Sequence, residues 1–367
     1  MTPLFEAVPN ISEGRRPEVV DSIAGATSGL LDAHPDPVHN RAVISLAGFE
    51  ESVVQSLVGI VDASARLIDL RVHRGVHPRV GAADVLPVVP LRGATLEGAA
   101  EVARAAGARI WSELRVPVFF YGAAGDGRTL ADIRAGRVRP DLGGELHPSA
   151  GAACVGARWP LVAYNVLLTG ADAASAAALA RAMRARQGGP PGVQALAFDF
   201  AEGRWQLSMN LVDLELTPPA AALEEVRRRA AQLGLGVGDD EVVGLCPAPY
   251  APARAAGRIL EGRLAAAGAR RAATAARARG GDEMQRLAHR LEVAAGELAA
   301  TGAAQEDLLA AAEAAAAVTP VLAAGNISDA EAEALLEAAA RGLRAALGPE
   351  VLAARAERVR LLDRRLP

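Results

Sequence analysis

The sequence predicts an α+β protein in three parts: two α/β sandwich subdomains followed by an all-α helical bundle. Three observations carry this. Short apolar runs alternate with longer amphipathic stretches up to about residue 170. From 161 to 250 the order reads strand, helix, strand, strand, helix, strand. Beyond 250 the chain has no Phe, Trp or Tyr and repeats Ala, Arg, Glu and Leu at helical spacing. The expected divisions are 1–168, 169–250 and 251–367.

In the first part, residues 42–47, 85–89, 116–121 and 161–168 read as strands, and 51–68 and 96–114 as helices. In the second, 172–186 reads as a helix with Asp172 as N-cap, stopped by Gly188, Gly189, Pro190 and Pro191. Residues 193–200 and 205–216 read as strands joined by a turn at 201–203; 218–233 reads as a helix and 241–246 as the closing strand. With 161–168 as the opening strand, this is the ferredoxin-like order. In the third part Gly280-Gly281, Gly302, Gly325-Asn326 and Gly348-Pro349 punctuate helices, and Ser328-Asp329 opens one. Ala-rich faces bury little area per residue, so pairing of two copies through this part, a homodimer, is expected.

Composition removes several function classes. The 367 residues are 51% hydrophobic and 22% charged, as in a globular protein. A net charge of −4 without a basic block argues against a nucleic-acid partner. No lysine is present, which excludes a lysine Schiff base and a Walker A loop. Cys154 and Cys246 are the only cysteines, too few for a disulfide framework or a cysteine zinc site. The first residues lack the basic and apolar segments of a signal peptide. The Ala-rich stretch at 310–325 is broken by Glu313 and Pro320, so no membrane partner is expected and a cytoplasmic location is.

His34, His39, His73, His77 and His147 all fall in the first part. The densest cluster is Arg71-Val72-His73-Arg74-Gly75-Val76-His77-Pro78-Arg79-Val80-Gly81-Ala82-Ala83-Asp84. Gly75 and Pro78 interrupt any helix that would align the two histidines, and no glutamate stands as in H-E-x-x-H, so no metal is expected. The cluster reads as an exposed loop before a strand, either a histidine among carboxylate-binding arginines or a solvated basic turn. Residues 32–41 and 142–151 are two further polar loops, each alone a surface connection. The glycine run at 122–127 lacks the strand-to-helix context of a dinucleotide fingerprint. Residue chemistry alone gives an α/β enzyme with a histidine acid/base and an arginine-held anionic substrate.

Several segments in order resemble glutamate formiminotransferase. They are Val8-Pro9-Asn10-Ile11-Ser12-Glu13-Gly14-Arg15, Asp36-Pro37-Val38-His39-Asn40-Arg41 and His77-Pro78-Arg79-Val80-Gly81-Ala82-Ala83-Asp84-Val85. Then come Ile133-Arg134-Ala135-Gly136, His147-Pro148-Ser149-Ala150-Gly151, Gly156-Ala157-Arg158, Asn210-Leu211-Val212-Asp213 and Val243-Gly244-Leu245-Cys246-Pro247. They cover about 4–250.

The resemblance implies two α/β subdomains and transfer of a formimino group between N-formimino-L-glutamate and tetrahydrofolate, in histidine breakdown. Tetrahydrofolate is then a co-substrate, and no metal is implied. The family's catalytic histidine falls on His77. Asn10, His39, Asn40, Arg41, Arg79 and Asn210 are the candidate substrate contacts. The folate loop falls on Gly143, Gly144, Glu145, Leu146, His147, Pro148, Ser149, Ala150 and Gly151. Val76 stands where many relatives carry Glu, Ala150 where animal enzymes carry Trp, and Leu167 where the family has Asn. The helical part faintly resembles a cyclodeaminase without its glycine loop; the alternative is an unrelated dimerisation segment. Two other readings of the whole remain: a non-catalytic folate-binding relative, and a transferase or hydrolase for another N-formimino or N-formyl amino acid.

Overall fold

The computed structural model describes residues 2–201, 203–255, 257–300 and 328–346. Two compact units divide after Gly244.

The first unit carries two sheets. Sheet one is built from β1 (Phe5–Ala7), β2 (Asn10–Ile11), β3 (Leu30–Asp36), β4 (Arg41–Gly48), β5 (Ala83–Pro90), β6 (Val118–Gly122) and β7 (Ala153–Ala157). β1 and β2 together fill one position between β4 and β5, both antiparallel to each. β7 lies parallel to β5 and β6, and β3 pairs with β4 as a hairpin. β1, β2, β3 and β7 were not among the expected strands. The first two are short, and Pro35 and the polar pattern of 32–41 read as a turn; the pairing of β3 with the apolar β4 makes that segment a strand.

Helices α1 (Pro17–Ala24), α2 (Glu50–Leu67) and α3 (Leu96–Arg109) pack on one face of this sheet. In α2, Val53, Val54, Leu57, Ile60 and Val61 repeat at helical spacing and are buried, with Glu50 and Glu51 favourably placed in the first turn. Thr95 caps α3 by accepting the Gly98 N–H at 3.0 Å. Strand parity puts Phe5, Ala7, Ile11, Ala42, Ile44, Leu46, Leu86, Val88 and Val155 on the helix side, in the core. Their neighbours Glu6, Asn10, Arg41, Val43, Ser45 and Val85 therefore point to the opposite face, where a five-residue helix, α4 (Leu130–Arg134), packs against Val85, Phe119 and Tyr121. This helix starts with a Thr129–Asp132 capping box.

Sheet two has β8 (Val162–Thr169), β9 (Val193–Ala201), β10 (Arg204–Leu211) and β11 (Gly236–Val243), antiparallel, in the order β11-β8-β10-β9. With α5 (Ala173–Met183) and α6 (Pro219–Gln232) between the strands, this is the ferredoxin-like arrangement. Asp172 caps α5 with Ser175 in a reciprocal box. Three boundaries differ from expectation. β8 opens sheet two ahead of the division at 168. β10 stops at Leu211, where Val212 N–H turns to Gly192 O. β11 runs over the charged residues 239–241 and ends before 246, because Val242 and Val243 pair with Tyr164 and Ala163.

The second unit contains α7 (Leu260–Arg279), α8 (Asp282–Ala300) and α9 (Asp329–Ala346). Alanines and the leucines 287, 291, 298, 336 and 343 form its core. Gly280 and Gly281, both at positive φ, turn α7 into α8. Ser328 and Glu331 cap α9 reciprocally. Gly302, Gly325-Asn326 and Gly348-Pro349 lie outside the described residues. No described helix is long and apolar enough to cross a membrane.

Leu179 of α5 is fully buried against sheet two. Leu179→Ala is expected to cost about 2–5 kcal/mol, measured as the loss of unfolding free energy in urea.

Candidate active site

Three loops of sheet one meet at the face opposite α1–α3 and are tied together by one residue. Asn40 adopts left-handed φ of 49°. Its Oδ1 accepts the Gly14 N–H at 3.0 Å and its Nδ2 donates to Arg74 O at 2.8 Å. The segments at 13–16, 36–41 and 73–79 are thereby fixed against each other. Glu13 holds the first of them, accepting the N–H groups of Gly14, Arg15 and Arg16 and the Arg16 side chain. Burial opposes the charge on Glu13, but these donors hold its carboxyl below the ordinary value.

His77 lies in the third segment. It is half-buried rather than exposed as the loop context predicted, because its ring sits 6.1 Å from Phe198 of β9 and 6.3 Å from His39. Nδ1 donates to Pro78 O at 2.8 Å, which fixes the neutral tautomer and leaves Nε2 with a free lone pair. Its pKa is pushed down to about 3, first by burial and then by the charges of Arg41 and Arg134. The neutral ring is therefore the resting form at neutral pH.

His39 is buried and donates through Nδ1 to Asp36 Oδ2 at 2.5 Å. Asp36 also accepts the Val38 and His39 N–H groups, both at 2.9 Å. Burial opposes the Asp36 charge, yet the His39 hydrogen bonds outweigh it and lower the carboxyl pKa. Phe198 stacks edge-on to His39 at 5.3 Å, and Phe200 lies 6.2 Å away. Sheet two thus supplies an apolar wall over both histidines.

Arg41 projects from β4 onto the same face. Burial lowers its pKa to about 10 against the opposing pull of Asp84 and Asp36. Arg134 reaches in from α4 and donates through Nη2 to Asp84 Oδ2 at 3.0 Å. Asp84 also accepts the Val80 and Gly81 N–H groups, at 2.5 and 3.2 Å. Asn10 donates through Nδ2 to Val8 O at 2.8 Å, so its buried Oδ1 faces away with no partner.

The other candidates lie differently. Arg79 bonds the His73 ring and His77 O, so its guanidinium is used to hold the loop. Asn210 is exposed, four residues along β10 from Gln206, about 13 Å at strand rise. In the 143–151 loop, Ala150 and Gly151 are buried, and Ala150 joins the helix-side core. His147 and Gly151 exchange backbone hydrogen bonds at 2.8 and 2.9 Å, and His147 Nδ1 accepts the Ala150 N–H. Gly151, at φ 69°, crosses Gly81 so closely that a Cβ would meet Val80 O at 2.1 Å. That crossing sets the loop against the segment carrying Asp84. Gly143, Gly144 and Glu145, with Arg139 and Pro140, line a concavity of about 510 Å³. Sequence reading missed Asp84, Arg134, Phe198, Phe200 and Gln206 as site residues. The period-two placement of Phe198 and Phe200 was a usable signal; nothing in the sequence marked Gln206.

Residues 4–158 match the model of the formiminotransferase domain, N-terminal subdomain, and 163–256 that of the formiminotransferase domain. The chain belongs to the formiminotransferase family. It is 38% identical over 267 residues to the glutamate formimidoyltransferase of Thermoplasma acidophilum, covering 66% of this chain and 88% of that one. It is 34% identical to the glutamate formimidoyltransferase of Streptococcus pyogenes, covering 68% and 90%. Against the formimidoyltransferase-cyclodeaminase of Rattus norvegicus it is 38% identical, covering 67% of this chain and 51% of that one, so the chain spans about half of that longer relative. The family match ends before α7.

The depressed His77 pKa has a sign. The unfolded chain takes up a proton near pH 6.5 that the folded chain refuses until about pH 3, so stability falls as pH drops through that window. His77→Gln removes this loss. Urea titrations at pH 7, 5 and 4 are expected to show a smaller acid-induced decrease in the variant.

Proposed function

We propose that the chain transfers the formimino group between N-formimino-L-glutamate and tetrahydrofolate, with His77 as general acid/base, as a step of histidine breakdown in the cytoplasm. The observation that carries the reading is His77 itself: a neutral imidazole with Nε2 unengaged, under an apolar wall and beside guanidiniums. The names of the archaeal and streptococcal relatives support the substrate pair.

In this mechanism the tetrahydrofolate nitrogen attacks the amidine carbon and a C–N bond forms. His77 Nε2 takes the proton that this nitrogen releases. The tetrahedral adduct then collapses, the bond from carbon to the glutamate nitrogen breaks, and the His77 imidazolium returns the proton to the leaving amine. One proton moves in and out, so no redox partner is required. The orphaned Asn10 Oδ1 suits an amidine N–H, and Arg41 suits a carboxylate. Arg79 contributes by holding the His77 loop, and His39 by bracing the ring's neighbourhood. Gly143, Gly144 and Glu145 offer the exposed edge of the 143–151 loop to the folate. The buried Ala150 methyl provides no stacking plane there. The helical part takes no role in this reading, and pairing of copies is assigned to it.

Two outcomes are expected. His77→Ala lowers formimino-tetrahydrofolate formation, followed by absorbance, about 10²–10⁴-fold while circular dichroism is unchanged. A chain ending at residue 256 keeps the transfer rate within about twofold, because the residues of the site all precede Gly244. Wild-type turnover in His77→Ala rejects the assigned base.

A further inference from the structure

We propose that Arg134, held by Asp84, forms with Arg41 a buried two-guanidinium seat for a carboxylate of the substrate, and that filling this seat raises the basicity of His77. The choice of a glutamate-type carboxylate rests on the function proposed above; the seat itself rests on three observations.

The first is orphaned donors. The Nε–H of Arg41 and the Nε–H of Arg134 are both buried and have no acceptor. Guanidinium donors are satisfied almost wherever they are buried, and two orphans in one place mark an absent acceptor. The second is charge. Asp84 is the carboxylate nearest both arginines, and Asp36 is engaged by His39. Two guanidiniums against one shared carboxylate leave a positive charge uncompensated in a desolvated place. One carboxylate, with four lone-pair sites, would satisfy both Nε–H groups and the charge together.

The third is position. Asp84 takes two backbone N–H groups of its own turn and one Arg134 nitrogen, and its side chain is only 4% exposed. Arg134 is therefore pinned on one edge while its Nε edge stays open. Arg79, the other arginine of the histidine loop, is spent on His73 and His77.

The consequence for His77 follows from Coulomb's law. The groups acting on the ring are Arg41 from β4, Arg134 from α4, His39 from the hairpin turn and the Pro78 carbonyl. Burial opposes protonation most, then Arg41 and Arg134, and His39 more weakly, while the Pro78 carbonyl favours it. A carboxylate seated between the two arginines cancels much of their contribution, though not that of burial, and so favours the imidazolium. The base then becomes competent when the donor is bound, and stays unprotonated when it is not.

The test uses the full-length protein with isotope-labelled histidine and glutarate as probe, glutaramide serving as the uncharged isostere. His77→Gln assigns the His77 signal. Glutarate is expected to bind and to move the His77 titration to higher pH, and glutaramide to do neither. Arg41→Gln breaks no protein hydrogen bond, and Asp84→Asn with Arg134→Gln leaves no buried carboxylate unpaired, so both variants keep the fold. Each is expected to weaken glutarate binding about tenfold or more and to abolish the titration shift. In turnover, KM for the formimino donor rises by a similar factor with a smaller change in kcat. Glutarate affinity and His77 titration unchanged in both variants would overturn the seat, even if formimino transfer is observed. Retention of the glutarate results in a protein that transfers nothing from formimino-glutamate would leave the seat standing and reject the substrate.

Discussion

The Asp84 carboxylate is the interaction on which the rest of the site depends. It lies buried at the start of β5, closes its own turn through the Val80 and Gly81 N–H groups, and anchors Arg134 from a distant helix. Through that turn it fixes Gly81, whose backbone crosses Gly151 and seats the 143–151 loop. Through its charge it makes burial of Arg41 and Arg134 tolerable, since a guanidinium without a counter-charge would be costly in this setting. One carboxylate thus couples loop geometry, arginine placement and the field at His77.

That field sets the character of the histidine. An imidazole used as a base must be neutral when substrate arrives, and its tautomer must leave one nitrogen bare. The Pro78 carbonyl fixes the tautomer by accepting from Nδ1, while burial and the two guanidiniums keep the ring neutral. His39 is held differently, by a short hydrogen bond to Asp36. Two histidines with rings 6.3 Å apart therefore have different hydrogen-bond partners. Phe198 reduces water around both and Phe200 around His39, which strengthens these interactions.

The layer architecture explains why polar groups collect where they do. The long helices of sheet one cover one face, and only the five-residue α4 packs on the other, so alternate residues of β1, β2, β4 and β5 are apolar core or site lining by parity. Sheet two brings β9 over the open face at the histidines. Gln206, opposite Phe198 in register, is buried with an orphaned Oε1, as Asn10 is on the first sheet. Unpartnered acceptors thus stand on both sheets, and unpartnered guanidinium donors beside them.

The sequence by itself determined the fold class, the ferredoxin-like order of the second subdomain, the helical third part and the family. These depend on periodicity, caps such as Asp172 and Ser328, and motifs contiguous in the chain, all of which are local. It also singled out His77, Arg41, Asn40 and Asn10, because each sits inside a motif. Only the tertiary structure decided that β3 is a strand, since its pattern is that of a turn and its pairing with β4 overrides it. Only the tertiary structure engaged Arg79 with the His73 ring and His77 O, put Ala150 in the core and left Asn210 exposed along β10. It also brought Asp84 and Arg134, 50 residues apart, to a 3.0 Å bond and laid Phe198 on His77. Charge compensation, burial and orphaned donors are properties of groups that meet from distant segments, and no spacing along the chain encodes them.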